Sequence, residues 1–255
     1  MSGAAEIGGA RLRRLGDGAL LTAGLLIAWQ GIYAAVGDVA LTPPLATFEH
    51  AARLLHQPLF WRHAGATVEA FAVSLVIGSV AGVAAGLTLG FHRLSGLVAE
   101  PILTALYTLP KVTLYPLVLL VFGLGISAKI AFGVMHGVIP VILFTMSAVR
   151  TIDPVHLKTA RVLHLSAWQT ATTVLAPAVT PEIFTGLRVG FALTLLGVII
   201  GEMFASQRGL GFMIVNGMNL HDVPTMMAVI ALIVVFAVLA SSLLLAADRR
   251  LHRRV

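Results

Sequence analysis

Charged residues inside apolar stretches are the residues of this sequence most able to do chemistry. Lys111 lies near the middle of a long apolar run, where a charge is costly and usually faces a cavity or a partner. Tyr107 and Tyr115 add hydroxyl groups one helical turn away on either side. This neighbourhood predicts a polar passage. Two other interpretations remain open: a structural ion pair with a carboxylate such as Glu202, or a lysine that borders the aqueous phase because the helix is broken.

Glu202 and Arg188 share a second apolar run. They are fourteen residues apart, about 21 Å along a helix at 1.5 Å per residue, and so cannot pair with each other. Each is close to the end of its run. Either the side chain reaches the membrane boundary, or it has a functional or structural partner elsewhere in the chain.

The sequence contains none of the common catalytic patterns. There is no G-x-x-x-x-G-K-[ST] phosphate loop, no H-E-x-x-H and no G-x-S-x-G turn. Cysteine is absent, and His50, His56 and His63 lack the supporting carboxylates of a metal site. His136 is interpreted as a packed core residue or a proton relay. We therefore expect a chain that is not an enzyme and binds no cofactor or metal, with any uphill work driven by a separate subunit or an ion gradient.

The composition predicts an integral membrane protein. Of the 255 residues, 58% are hydrophobic and 11% are charged. We expect one all-α domain over residues 1–255, with the first run retained as a span or, alternatively, cleaved as a signal peptide. The third run is interrupted at Leu109-Pro110-Lys111 and again at Pro116, as in broken membrane helices. The six predicted spans cover about 18–36, 66–91, 97–122, 126–149, 183–205 and 224–247.

The second predicted span carries a ladder of small residues. Ser74 is followed at intervals of four by glycines, a pattern that lets another helix approach closely in lipid. We expect these glycines to pack helices: Gly78, Gly82, Gly86 and Gly90.

The stretch 150–180 is the longest polar interruption in the second half of the chain. Asp153-Pro154 predicts one helix start, and Ser166 to Gln169 gives the S-x-x-Q capping box of a second short helix after a turn near His164. Thr180-Pro181 predicts a third start, for the fifth span. Two short helices are therefore expected between two spans.

Basic residues cluster at the ends of the apolar runs, which argues against a nucleic-acid surface. The two termini, the loop at His92-Arg93 and the 150–180 loop hold eleven of the seventeen lysines and arginines. The positive-inside rule places both termini and the long loop in the cytoplasm.

The 150–180 loop resembles the cytoplasmic loop of ABC importer permeases, which reads EAA, three residues, G, nine residues, I-x-L-P. Here the corresponding residues are Lys158-Thr159-Ala160, then His164, then Val174-Leu175-Ala176-Pro177. The family's glutamate and glycine are replaced. The strings PEIFTGLRVG, GEMFASQRGLGFMI and LPKVTLYPLVLLVFGLGISAKI resemble the nitrate/sulfonate/taurine branch, and the likeness runs from about Thr42 onward.

The resemblance implies a type I importer permease in a bacterial inner membrane. Its expected partners are a second copy of itself, two ATP-binding subunits in the cytoplasm that hold ATP and Mg, and an extracytoplasmic solute-binding protein. It implies that Glu202, followed by a GLG motif, contributes to gating, and that Arg188 and the Lys111 region line the pathway for sulfonates, nitrate or carboxylates. The implied ATPase-coupling residues are Asp153, Lys158, Thr159, Ala160, Arg161, His164, Leu165, Ser166 and Gln169.

Three alternatives stay open. One is a self-contained secondary transporter or channel, although the sequence shows no evident inverted repeat. A second is a permease of the same class for a thiamine-precursor-like solute. An intramembrane enzyme is a third, and it lacks a nucleophile and base pair. At His164, the turn either tolerates the histidine or offsets its strain through a contact with the ATPase.

Overall fold

The computed structural model describes residues 2–204 and 206–252, and every regular element in those ranges is helical. The parts of the predicted domain and spans at Met1, Ala205 and residues 253–255 lie outside the described residues, and so do the side chains of the arginines near both termini. The α-helices are α1 Ser2–Val36, α2 Pro44–Leu55, α3 Pro58–Phe91, α4 Arg93–Thr108, α5 Tyr115–Phe122, α6 Ile126–Arg150, α7 Pro154–Val162, α8 Ala167–Gln169, α9 Ala176–Phe204, α10 Leu210–Asn219 and α11 Val223–His252. A 3-10 helix covers Lys111–Leu114 and a π-helical segment covers Thr170–Leu175.

Five helices are long and apolar enough to cross a membrane, and a bent pair raises the number to six. The bent pair is α4 with Lys111–Phe122, whose two parts meet at 87°. The predicted break at Leu109-Pro110-Lys111 is therefore confirmed. Pro116 makes no second break, because it occupies the first turn of α5, where a backbone N–H is not needed. All-helical architecture with six spans, one of them broken, is what the sequence predicted.

The chain divides into two compact units. The first contains residues 2–58 and 214–232. Within it, the Trp29 indole donates to the carbonyl of Thr42 at 3.1 Å and its ring lies 6.2 Å from that of Phe48, which ties the end of α1 to α2. His50 of α2 contacts the hydroxyl of Thr225 at 3.0 Å.

The second unit contains residues 59–213 and the rest of α11. Its centre is the long packing of α6 against α9, with α3 on the same core through Ala70 and Phe71. The glycine ladder of α3 runs along α6. An added Cβ would meet Val141 at Gly82, Thr145 at Gly86 and Val149 at Gly90. Only the absence of side chains at those three positions lets α3 and α6 approach this closely.

The polar stretch after α6 differs from the prediction in two respects. Asp153 accepts from the N–H of Val155 at 2.8 Å, and Ser166 and Gln169 form the predicted reciprocal capping box. The predicted third helix start at Thr180-Pro181 is wrong, because α9 begins at Ala176 and passes through Pro181. The Thr180 hydroxyl donates back to the Ala176 carbonyl at 2.6 Å, so it continues the helix instead of capping one.

The correction lengthens the fifth span. From Ala167 the chain stays helical through the π-helical segment into α9, and the whole stretch Ala167–Phe204 counts as one candidate span. A proline inside a membrane helix is tolerated where neighbouring residues compensate for its missing N–H. The sequence predicted two separate short helices here. The structure has one, α7, and the second is instead an N-terminal extension of the fifth span.

Candidate functional site

A buried polar cluster closes one end of the second unit. We define the Glu202 cluster as Thr67, Lys129, Glu202, Gly209 and Gly211. The Glu202 side chain is fully buried. The Thr67 hydroxyl contacts its two carboxylate oxygens at 3.0 and 2.8 Å, and the N–H of Gly211 donates to it at 3.0 Å. The Lys129 ammonium lies 3.8 Å from the same carboxylate.

The chain after α9 wraps closely around this carboxylate. Gly209 has a φ of 126°, and a Cβ there would overlap the Glu202 carboxyl group. A Cβ at Gly211 would clash with the Ile199 carbonyl. Both positions therefore require glycine. The N–H of Leu210 donates to the Thr67 hydroxyl at 2.8 Å, and the Lys129 ammonium donates to the Arg208 carbonyl at 2.6 Å.

This environment corrects two sequence interpretations. The Glu202 side chain is buried within the protein and does not extend to its surface, and its cation is Lys129, not Lys111. Arg188 lies 3.4 Å from Asp248 of α11, so the prediction that Glu202 and Arg188 do not pair with each other is confirmed. Because Glu202 is buried beside Lys129, the structure favours a structural partner for it, which is one of the alternatives that the sequence left open. Sequence reasoning missed Lys129 and Thr67, although a lysine at the start of an apolar run was a usable signal.

Lys111 lies at the bend between α4 and α5 and is not part of the Glu202 cluster. Its ammonium donates to the Tyr107 carbonyl at 3.1 Å and lies 5.2 Å from the centre of the Tyr107 ring. Within the described part of the chain it forms no ion pair. Tyr107 is partly exposed beside it.

Tyr115, which the sequence analysis expected to line the same passage, is buried in this structure. Tyr115 is 2% exposed, and its hydroxyl donates to the Gly201 carbonyl at 2.6 Å. Its ring packs against Phe132 with centroids 4.9 Å apart. The hydroxyl is therefore used to join α5 to α9.

A third place of interest is the segment from Asp153 to Gln169. Ala160 is 2% exposed, and α7 packs against the π-helical segment. His164 has a φ of 51°, and the N–H of Leu165 bonds to the Ala160 carbonyl at 3.0 Å, which closes α7 with a left-handed turn. The turn therefore keeps the positive φ that the family's glycine would supply.

Large apolar side chains cover the outside of this segment. Val162, Leu163 and Trp168 are 75%, 62% and 77% exposed. Lys158, Thr159 and Arg161 are exposed beside them. An apolar surface with a cationic border, held by two capped helix starts, is a typical surface for binding another protein.

Together these features define a class of protein: a multi-span, all-helical membrane subunit with one broken span and one structured polar segment between spans. The sequence model of a family described as "Binding-protein-dependent transport system inner membrane component" matches residues 74–255. The chain belongs to this family of ABC transport permeases, in the nitrate, sulfonate and taurine branch that the sequence suggested. Membership places it in the inner membrane as a multi-pass transport subunit.

Named relatives differ in their solutes. A Bacillus subtilis protein named as an aliphatic sulfonates transport permease is 27% identical over 237 residues, 92% of this chain and 86% of that protein. The nitrate import permease of Leptolyngbya laminosa is 33% identical over 163 residues, 64% and 58% of the two chains. The riboflavin transport permease of Chloroflexus aurantiacus is 29% identical over 209 residues, 81% and 78%.

Proposed function

We propose that this chain, as a homodimer, forms the pathway for a small anionic solute in an ATP-driven importer. A separate ATPase would bind Asp153 to Gln169 on the cytoplasmic side, and an extracytoplasmic binding protein would deliver the solute. The observation that carries the coupling role is the exposure of the apolar side chains Val162, Leu163 and Trp168 on a segment with two capped helix starts. Val162 and Leu163 lie outside every candidate span of the described residues, so their apolar groups need a protein partner to leave water.

The surrounding charge supports the same proposal. Lys158 and Arg161 are exposed on α7, and basic residues accumulate on the cytoplasmic side of inner-membrane proteins. Coupling also requires a segment that transmits force. The left-handed turn at His164 and the packing of α7 on the π-helical segment connect this surface directly to α9.

The coupling proposal is tested by reversing two charges. Lys158→Glu with Arg161→Glu should abolish ATPase association and transport while membrane insertion stays normal, because the border of the docking surface then carries the opposite sign. Copurification of the ATPase with the tagged permease measures the association. Arg93→Glu is the matched control, since Arg93 is an exposed cation at the start of α4, outside the segment. Normal complex assembly in the double variant would overturn the assignment.

The anionic solute is proposed from Lys111. Its ammonium lies at the bend of the broken span and lacks a carboxylate partner in the described ranges, so its charge is available to a solute. Two copies in a homodimer would make the passage positive. Relatives named for sulfonates and nitrate carry anions, whereas the relative named for riboflavin carries a neutral molecule.

Lys111→Met should lower transport of the anion that the binding protein delivers, with ATPase association unchanged. Lys111→Arg keeps the charge and is the matched control. The solute itself would be identified as the ligand that copurifies with the binding protein that associates with this permease. An anion carried at the native rate by Lys111→Met would remove Lys111 from the pathway, and a neutral ligand would refute the anionic class.

A further inference from the structure

An ion pair joins the first half of the broken span to the end of α6. The Arg150 guanidinium lies 2.6 Å from the Glu100 carboxylate. Glu100 is in the middle of α4. Arg150 is the last residue of α6, and only Thr151 and Ile152 separate it from Asp153, the cap of α7. The pair therefore connects the segment that begins at Asp153 to the helix that leads to Lys111.

Helix α4 has few other attachments within this chain. Gly96 is its one buried residue among those described, and it packs against the Leu89 carbonyl and the Met146 sulfur. In contrast, α6 and α9 pack along most of their length. The two helices that flank the 150–180 stretch thus form one body, and α4 is attached to that body mainly at Gly96 and at Glu100.

An open cavity of about 440 Å³ lies beside this pair and is lined by residues of all three helices. Its lining includes Glu100 and Thr104 from α4, Arg150 from α6 and Glu182 from α9. Apolar packing does not fill the space between α4 and the α6–α9 body there. A shift of α4 near Glu100 therefore breaks little packing, and besides the contact at Gly96 the ion pair is the interaction that resists it among the described residues.

We propose that Arg150 and Glu100 are positioning residues that make α4 follow the end of α6 during transport. When the ATPase displaces α7, the adjoining end of α6 moves, and Arg150 carries Glu100 with it. Because α4 leads into the bend, this movement reaches Lys111. The inference rests on the proposed coupling function, and it adds a route by which coupling reaches the broken span.

The test uses the complete complex of permease, ATPase and binding protein in proteoliposomes. Glu100→Gln and Arg150→Gln should each lower the number of solutes transported per ATP by about threefold, as expected for loss of a partly exposed pair, with ATPase association unchanged. The swapped variant Glu100→Arg with Arg150→Glu should restore most of the ratio. Glu182→Gln is the control, because Glu182 lines the same cavity and forms no ion pair among the described residues.

A distance measurement separates positioning from simple stability. The chain contains no cysteine, so spin labels attach only at introduced sites. With one labelled copy per complex, the distance between Val98→Cys on α4 and Val155→Cys on α7 should stay the same when ATP and vanadate are added. Both side chains are exposed, at 57% and 58%, and Val155 is not part of the apolar surface formed by Val162, Leu163 and Trp168. In the Arg150→Gln background the distance should change, because α4 no longer follows.

The outcomes are distinct from those that test coupling itself. If the unmodified chain does not copurify with the ATPase, the proposed function fails. If the complex forms but the Glu100 and Arg150 variants keep the native ratio, the positioning role is refuted. It is also refuted if the swapped variant folds, as judged by its size-exclusion profile, yet stays as poor as the single variants. If the swap does not fold, Arg150→Lys decides, and it should retain more of the ratio than Arg150→Gln.

Discussion

Replacing Glu202 by glutamine should destabilise the protein, and the structure explains why an isosteric change is poorly tolerated. One carboxylate oxygen faces Lys129 at 3.8 Å, and the other accepts from the N–H of Gly211 at 3.0 Å. The glutamine amide has one acceptor and one donor group. In either orientation its NH₂ group faces one of these two donors, so one buried contact becomes repulsive.

The expected magnitude follows from the buried ion pair. Removing one partner of such a pair typically costs about 3–5 kcal/mol. Lys129 keeps its hydrogen bond to the Arg208 carbonyl, which places the loss near the lower end, about 3 kcal/mol, or roughly a hundredfold in the folding equilibrium. The loss should appear as a lower folded yield and a lower denaturation midpoint of the purified permease.

The matched control is Glu69→Gln, which neutralises an exposed carboxylate on α3 outside the Glu202 cluster. The double variant Lys129→Met with Glu202→Gln completes a double-mutant cycle and should be more stable than the sum of its single changes, because neither charge is then left alone. Equal stability of Glu202→Gln and Glu69→Gln would refute the reasoning. A normal yield with an altered transport rate would instead support the gating role that the family resemblance implies.

Two further predictions concern backbone geometry. Gly86→Ala should destabilise the permease by about 1–3 kcal/mol, because its Cβ would lie 2.5 Å from the Thr145 Cβ. Gly78→Ala is the control and should be tolerated, since the nearest neighbour of its Cβ would be 3.9 Å away. Denaturation midpoints of the two variants test this, and equal midpoints would contradict it. His164→Gly should keep transport and relieve about 1 kcal/mol of backbone strain, because His164 has a φ of 51°. His221→Gly is the control variant, since His221 has a similar φ of 56°. A drop in ATPase stimulation confined to His164→Gly would instead indicate a contact with the ATPase.

Local chemistry made much of the fold predictable. Long apolar runs can be buried only by lipid or by one another, so composition alone indicated the spans. Proline at 110 removes a helix hydrogen bond wherever the run is placed, which is why the bend was predicted. The cap at Asp153 and the box from Ser166 to Gln169 involve atoms within three residues of each other. Such features depend only on neighbouring residues.

Partners distant in the chain were decided by tertiary structure. Thr67 and Glu202 are 135 residues apart, and Tyr115 and Gly201 are 86 apart. No periodicity in the sequence selects Lys129 over Lys111 as the cation beside Glu202. Pro181 had the form of a helix start, but in the folded chain α9 already begins at Ala176, so Pro181 is internal to it. The sequence determines which groups need partners, because burial of an unpaired charge is costly in any fold. The packing of α3, α6 and α9 determines which partner lies within reach.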